Sequence, residues 1–167
     1  ATINSKRHAA EAINLILPNI VESINEPSLI NKKKMINAAY LSGCSINITK
    51  TTAPHALSYS LTSIFNVAHG HAVASLLAPT ALITYELSDS EQKQTMIDIF
   101  KLFGCNDILE FQAKWLLLMK LCDLDSKLTK YHIETKVVVS GVNIERMKNH
   151  PVELSLENIE CIVEAVV

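Results

Sequence analysis

Apolar residues recur every three to four positions along most of the chain, which is the period of an amphipathic α-helix. Residues 4–20 show this first, with apolar positions at Ala9, Ala12, Ile13, Ile16, Leu17 and Ile20. Asn4 or Ser5 can cap this helix, and Pro18 predicts a kink inside it. Pro27-Ser28 then begins a second helix.

Later segments repeat this pattern and add start and stop signals. The further predicted helices cover about 54–65, 70–82, 88–103, a segment capped by Asn106 or Asp107 that ends at Cys122, 135–148 and 155–166. Ser88 stands three residues before Glu91, as in a capping box, and Gly104 predicts the end of that helix. Only at Val137–Val139, a run of three β-branched residues, does the sequence also favour a strand. The sequence therefore predicts an all-α bundle of about seven to eight helices.

Composition supports this fold class. The chain of 167 residues has only four glycines and five prolines, which leaves little material for the turns of a β-sandwich. A hydrophobic fraction of 49% and a charged fraction of 19% exclude a disordered chain. The length suffices for one core but not for two full-size domains.

Charge and cysteine usage narrow the functional class. A net charge of −2 gives no field that would attract nucleic acid or an anionic membrane. No apolar run is long enough for a membrane span, and the first residues do not resemble a signal peptide. The four cysteines are dispersed, which indicates buried, reduced thiols. We therefore expect a cytoplasmic protein.

The densest chemistry lies between His55 and His69. On one uninterrupted helix these residues would share a face but lie about 21 Å apart. If the chain reverses at Phe65–Val67, both rings can instead meet at one metal ion. Gly70 would then allow a sharp turn beside the second ligand. From spacing alone, the alternative is that both are packed or capping histidines.

The residues around these histidines resemble the C-terminal helical domain of the iron-containing (group III) alcohol dehydrogenases. The matching positions are Gly43, Asn47, His55-Ala56-Leu57 and His69-Gly70, followed near the end by Arg146–Pro151 and Leu154–Ile159. Gly43 and its neighbour Cys44 are also small enough to let another helix come close. The resemblance covers nearly the whole chain and implies an α-domain like that of the dehydroquinate synthases.

Two stretches resemble one branch of that family, the phosphonoacetaldehyde reductases. They are Thr49–Tyr59 and His69–Ala74. Tyr59 stands where many family members have a further histidine, and Thr52 stands where many have glycine. The hydroxyl of Tyr59 could replace that histidine as a proton donor. No other catalytic residue is expected beyond the metal ligands.

The resemblance also implies a ligand set and a reaction. His55 and His69 would be neutral imidazole ligands of Fe²⁺, or of Zn²⁺, in an enzyme that reduces aldehydes with NAD(P)H. Lys50, His71 and Arg146 are candidates for contacting an anionic substrate. His71 is two residues from His69 and is expected to face away from the ion. No residue of this chain is assigned to the coenzyme.

Several expected parts of such an enzyme have no counterpart in the sequence. No Asp-x-x-x-His precedes Gly43, and no glycine-rich phosphate loop follows a strand. We expect residues 1–167 to be the C-terminal metal-binding domain, without the N-terminal dinucleotide-binding domain and inactive alone. Its expected partners are that domain and a small aldehyde or alcohol, and a homodimer stays open.

Two other functional assignments remain open beside this one. The first is a free-standing helical interaction module derived from such an enzyme, with structural histidines. The second keeps the fold but changes the reaction, as in glycerol dehydrogenases or dehydroquinate synthases, whose sequences around the histidines are less similar. An exposed apolar patch well above a few hundred Å² would favour the half-enzyme over the free-standing module.

Overall fold

The computed structural model describes all 167 residues and contains helices but no strand. The all-α prediction is confirmed. The ten helices are α1 (Ile3–Ile16), α2 (Ile20–Asn25), α3 (Leu29–Thr49), α4 (Ala53–Ser63), α5 (His69–Leu87), α6 (Ser90–Leu102), α7 (Ile108–Leu121), α8 (Thr135–Ser140), α9 (Ile144–Met147) and α10 (Leu156–Glu164), with a 3₁₀ turn at Thr129–Tyr131. The count exceeds the expected seven to eight because two predicted helices are divided.

The first division lies at Pro18, which ends a helix rather than bending it. Proline has no N–H to donate, and α2 begins two residues later. The cap also differs from the prediction: Thr2 accepts from the backbone N–H of Ser5, so Asn4 and Ser5 lie inside the first turn. The Ser5 hydroxyl oxygen accepts in turn from the N–H of Thr2, which completes a capping box.

The second division separates α8 from α9, where one helix over 135–148 was predicted. Asn143 accepts from the N–H of Arg146 and so caps a new helix after the turn at Gly141. Val137–Val139, where a strand competed, lies in α8. Val138 is fully buried there, so tertiary packing decides against the intrinsic preference of valine for strands.

The helix that follows α5 has a capping box one residue later than the sequence indicated. Asp89 accepts from the N–H of Gln92, and Gln92 accepts from the N–H of Asp89. Ser88 instead donates its hydroxyl to the carbonyl of Thr84, in the last turn of α5. The predicted pair Ser88 and Glu91 was therefore wrong in register, although the start of α6 was placed correctly.

The larger core lies between α4, α5, α8 and α10. Its buried members include Leu57 and Leu61 on α4, Leu76 on α5 and Ile162 on α10. Each of these four side chains has no exposed surface. This core fixes α4 against α5, the two helices that carry His55 and His69, and so determines how the two histidines meet.

A second core joins α6 and α7 beside α5. Phe100 stacks on Phe111 with ring centres 4.8 Å apart, and Phe103 meets the edge of Phe111 at 5.1 Å. Trp115 donates its indole N–H to the carbonyl of Ala74 on α5. Aromatic pairs of this kind add stabilisation beyond their buried area. The second core thus packs α6 and α7 against α5, the helix that begins with His69.

Two expectations about small residues were wrong. Cys105 and Cys122 are buried as predicted, but Cys44 is only partly buried and Cys161 is exposed. Gly43 is exposed on α3, and nothing lies within 4 Å of where its Cβ would be, so no helix of this chain approaches there. None of the helices is both long enough and apolar enough to cross a membrane.

Candidate metal centre

The two histidines of the sequence pattern meet at one end of the α4–α5 hairpin. His55 is the third residue of α4, and His69 is the first residue of α5. Between the helices the chain reverses at Asn66, which has a positive φ of 56°. Val67 is buried and donates its N–H to the carbonyl of Leu61, which holds the reversal closed. The ring centres of His55 and His69 are 5.6 Å apart.

This spacing fits one shared metal ion. An ion about 2.1 Å from a ring nitrogen lies about 3.2 Å from the ring centre, so two ligands at a tetrahedral angle have centres about 5.3 Å apart. The observed 5.6 Å is close to that value, and the planes are inclined at 64°. The reversal, rather than a flexible Gly70, produces this arrangement. Gly70 lies within α5 without a positive φ.

Ser58 links the two histidines and was not identified from the sequence. Its fully buried hydroxyl lies 2.9 Å from the carbonyl oxygen of His55 and 3.3 Å from Nδ1 of His69. The hydroxyl has one proton, which it donates to the carbonyl, so its oxygen can accept from Nδ1–H of His69. That tautomer leaves Nε2 of His69 with a lone pair for a metal ion. In the sequence, only the spacing of Ser58 three residues after His55 could have indicated that this hydroxyl lies near the histidines.

The electrostatics of His55 favour a neutral ring. Burial lowers its pKa below the ordinary value for histidine, and the positive charge of a protonated His69 lowers it further. A metal ligand must be neutral imidazole, so this shift keeps His55 competent to bind at neutral pH.

Tyr59 and Arg146 extend the site. The Tyr59 ring stacks on His69 with centres 6.0 Å apart, and the guanidinium carbon of Arg146 lies 4.4 Å from the Tyr59 ring centre. Arg146 also donates from Nη1 to the Tyr59 hydroxyl. It forms no ion pair with a carboxylate, although four other ion pairs are present on the surface. The site therefore contains a cation whose charge is not neutralised by a neighbouring acid.

The other two candidate substrate residues lie in different surroundings. His71 is 9% exposed, and its Nε2 is 2.6 Å from the carbonyl oxygen of Asp125, in the loop after α7. Lys50 follows the last residue of α3, where its side chain is exposed and makes no hydrogen bond. The structure thus brings His55, His69, Tyr59 and Arg146 together and engages His71 elsewhere.

Comparison with known proteins identifies the fold. Residues 3–167 match the profile described as "Fe-containing alcohol dehydrogenase family, C-terminal". A comparison with curated proteins finds no significant match.

Solved structures give the same result. Sulfoacetaldehyde reductase from Bifidobacterium kashiwanohense, in complex with NAD⁺, is 20% identical with a TM-score of 0.87, over 99% of this chain and 44% of that one. Iron-containing alcohol dehydrogenase from Thermotoga maritima is 28% identical with a TM-score of 0.78, over 99% and 43%. A 1,3-propanediol oxidoreductase is 19% identical with a TM-score of 0.87, over 98% and 45%. The chain thus spans less than half the length of these similar structures.

Proposed function

Because the chain belongs to the Fe-containing alcohol dehydrogenase family as its C-terminal domain, we propose that it is the metal-binding half of an NAD(P)-dependent alcohol dehydrogenase or aldehyde reductase. The observation that carries this proposal is the pair His55 and His69, whose rings are spaced for one ion. Ser58 supports it, since its hydroxyl can accept from Nδ1–H of His69 and so leave Nε2 free to bind a metal ion. We propose Fe²⁺ as the ion, with Zn²⁺ as the alternative.

Each residue of the pair has a defined task in this proposal. When bound, the ion supplies Lewis-acid polarisation of a carbonyl oxygen, while NAD(P)H supplies hydride. His55 binds through a ring that burial keeps neutral. Ser58 orients His69, and the Tyr59 ring covers one side of His69. The Tyr59 hydroxyl is the proposed proton donor to the product oxygen. Arg146 donates a hydrogen bond to the Tyr59 hydroxyl oxygen and so fixes the position of this hydroxyl.

The ligand set in this chain is incomplete. No group of three or more His, Cys, Asp or Glu side chains is placed to hold a metal, whereas catalytic sites of this kind have three protein ligands and an open position. We propose that the remaining ligands and the NAD(P)H site belong to a coenzyme-binding half, and that this chain is inactive without it.

The surface of the chain supports a partner of that size. A monomer of 18.5 kDa exposes about 8,200 Å², whereas this chain exposes 9740 Å². The excess, on the order of 1,500 Å², is comparable to an interface between two domains. A free-standing module is expected to expose an area closer to that of an ordinary monomer of this mass.

Part of that excess lies on one face of α3, which we call the α3 stripe. It consists of Leu29, Ile36, Tyr40, Gly43 and Asn47, whose spacing of seven, four, three and four residues places them along one side of the helix. The three large side chains are between 66% and 72% exposed. We propose that the coenzyme-binding half covers this stripe, which would explain why the small Gly43 has no neighbour in this chain.

For the substrate we propose an anionic two-carbon aldehyde, phosphonoacetaldehyde. Arg146 supports this because it is a cation beside the histidine pair with no acidic partner. Guanidinium groups bind phosphonate and sulfonate oxygens through paired N–H donors. The similar sulfoacetaldehyde reductase carries the name of an anionic aldehyde of the same length.

The direct test joins this chain to the remaining N-terminal part of the Thermotoga maritima enzyme and measures aldehyde-dependent NADH oxidation with Fe²⁺ present. We expect activity that is lost in His55→Ala and in His69→Ala. It should persist in His132→Asn, which changes an exposed histidine outside the site. Activity that survives both site substitutions would refute the metal assignment. An assembled, metal-loaded chimera without activity would favour the free-standing module.

The substrate proposal needs its own comparison in the same chimera. Arg146→Ala should raise KM for phosphonoacetaldehyde by about tenfold or more and leave KM for propionaldehyde, which has a methyl group in place of the phosphonate, nearly unchanged. An equal change for both aldehydes would show that Arg146 acts on the structure of the site rather than on the anionic group.

A further inference from the structure

The turn between α3 and α4 contains a strained residue. Lys50 has φ 65° and ψ −171°, a backbone conformation that only glycine adopts readily. Such strain persists only where surrounding contacts hold it. Five residues later the chain reaches His55, in the first turn of α4. This turn leads directly into the first turn of α4, so its geometry contributes to the placement of His55, together with the core that packs α4 against α5.

One side chain spans the strained residue. Asn149 donates from Nδ2 to the carbonyl oxygen of Thr49 at 2.9 Å and to that of Thr51 at 2.8 Å, on the two sides of Lys50. An amide NH₂ group has two hydrogens, so one group can serve both acceptors. We call this pair of hydrogen bonds the Asn149 bridge. At the start of α4 the cap residue, Thr52, makes no side-chain capping bond, so the Asn149 bridge supplies the side-chain hydrogen bonds at this turn while Ala53 and Ala56 are buried in the core.

The segment that carries Asn149 is itself fixed on both sides. Before it, Arg146 lies on the Tyr59 ring. After it, His150 Nε2 lies 2.9 Å from the hydroxyl of Thr84, and Gln92 donates to the carbonyl of Pro151 at 2.9 Å. Asn149 thus ties the turn to a fixed segment that lies about a hundred residues further along the chain.

We propose that Asn149 is a positioning residue for His55. The Asn149 bridge holds Lys50 in its strained conformation, which places the first turn of α4 so that the His55 ring meets the His69 ring. Asn149 itself does not touch the ion. The inference rests on the proposed metal site, but the placement of α4 can be measured without any metal.

The test compares Asn149→Ala, Lys50→Gly and the double variant with the wild-type chain. Asn149→Ala removes both hydrogen bonds of the bridge and should weaken Co²⁺ affinity about tenfold, because only part of their net stabilisation is transmitted to the placement of His55. It should also accelerate hydrogen exchange at the amides of His55 and Ala56, which donate to the carbonyl of Thr52. In the double variant both effects should disappear, because glycine adopts the conformation of residue 50 without strain.

Gln92→Ala is the control, because it removes another contact of the same segment, at Pro151, and the Asp89 bond of the α6 capping box, but no contact of the turn at Lys50. It should change stability slightly and leave Co²⁺ affinity unchanged. Unchanged amide exchange in Asn149→Ala, or failure of Lys50→Gly to restore it, would overturn the inference. If exchange and rescue follow the expectation but wild type binds no Co²⁺, the proposed metal site fails while the placement of α4 by Asn149 stands.

Discussion

Acidification should destabilise this protein through one buried histidine. Burial lowers the pKa of His150 to about 4 from an ordinary value of 6.5. The Thr84 hydroxyl donates to the carbonyl of Thr80, so the ring donates to Thr84 from Nε2, while its buried Nδ1 has no partner. A protonated ring would bring a charge and an unpaired donor into this position, so the folded state resists protonation.

The sign of the pH dependence follows from the lowered pKa of His150 in the folded state. Above pH 6.5 His150 is neutral in both states, and the stability is fully present. As the pH falls from 6.5 towards 4, the unfolded chain binds a proton that the folded chain does not, so the stability decreases. The full difference of 2.5 pKa units corresponds to about 3.4 kcal/mol. Partial exposure of the ring reduces this to roughly half, about 1.5–2 kcal/mol.

Urea unfolding at pH 7 and pH 4.5 measures this effect. The free energy of unfolding of wild type should fall between these pH values by about 1.5 kcal/mol more than that of His150→Gln, which corresponds to a melting-temperature difference of about 5 °C. His132→Asn, at an exposed histidine, should behave like wild type. Equal pH dependence in wild type and His150→Gln would mean that His150 is not the group whose protonation destabilises the fold.

Three further substitutions test the site and the packing. Ser58→Ala removes the hydroxyl between the histidines, so Zn²⁺ affinity measured by calorimetric titration should fall by roughly 10- to 100-fold. The free energy of unfolding should change by about 1 kcal/mol. Unchanged affinity would mean that Ser58 does not orient His69. Leu61→Ala empties a fully buried position and should cost about 3 kcal/mol in urea unfolding. Leu29→Ala, on the exposed α3 stripe, should cost less than about 0.5 kcal/mol, and similar values for both would contradict the assigned core.

Local signals in the sequence predicted the fold well where they act within one helix. The 3.6-residue period and the caps Ser28, Asp107 and Ser155 are local, and each begins a helix as expected. Errors arose where two local signals compete. At Asn143 a cap overrode a continuing apolar period, and at Pro18 a kink became a break.

The candidate site was predictable only in part. The spacing of His55 and His69, together with a reversal near Asn66, indicated that the rings could converge. By contrast, the stacking of Arg146 on Tyr59 and the Asn149 bridge join residues 87 and about 100 positions apart. Such contacts depend on how α9 packs against α4, which no periodicity encodes.

The proposed metal site requires that His55 and His69 bind one divalent ion together. Zinc titration followed by NMR of the ring nitrogens tests it most directly, since the chain has only six histidines. With a shared ion, the signals of these two rings should shift together and saturate at one equivalent, and replacing either histidine with alanine should abolish the shift of the other. Independent shifts of the two rings, or a response of only one, would contradict it.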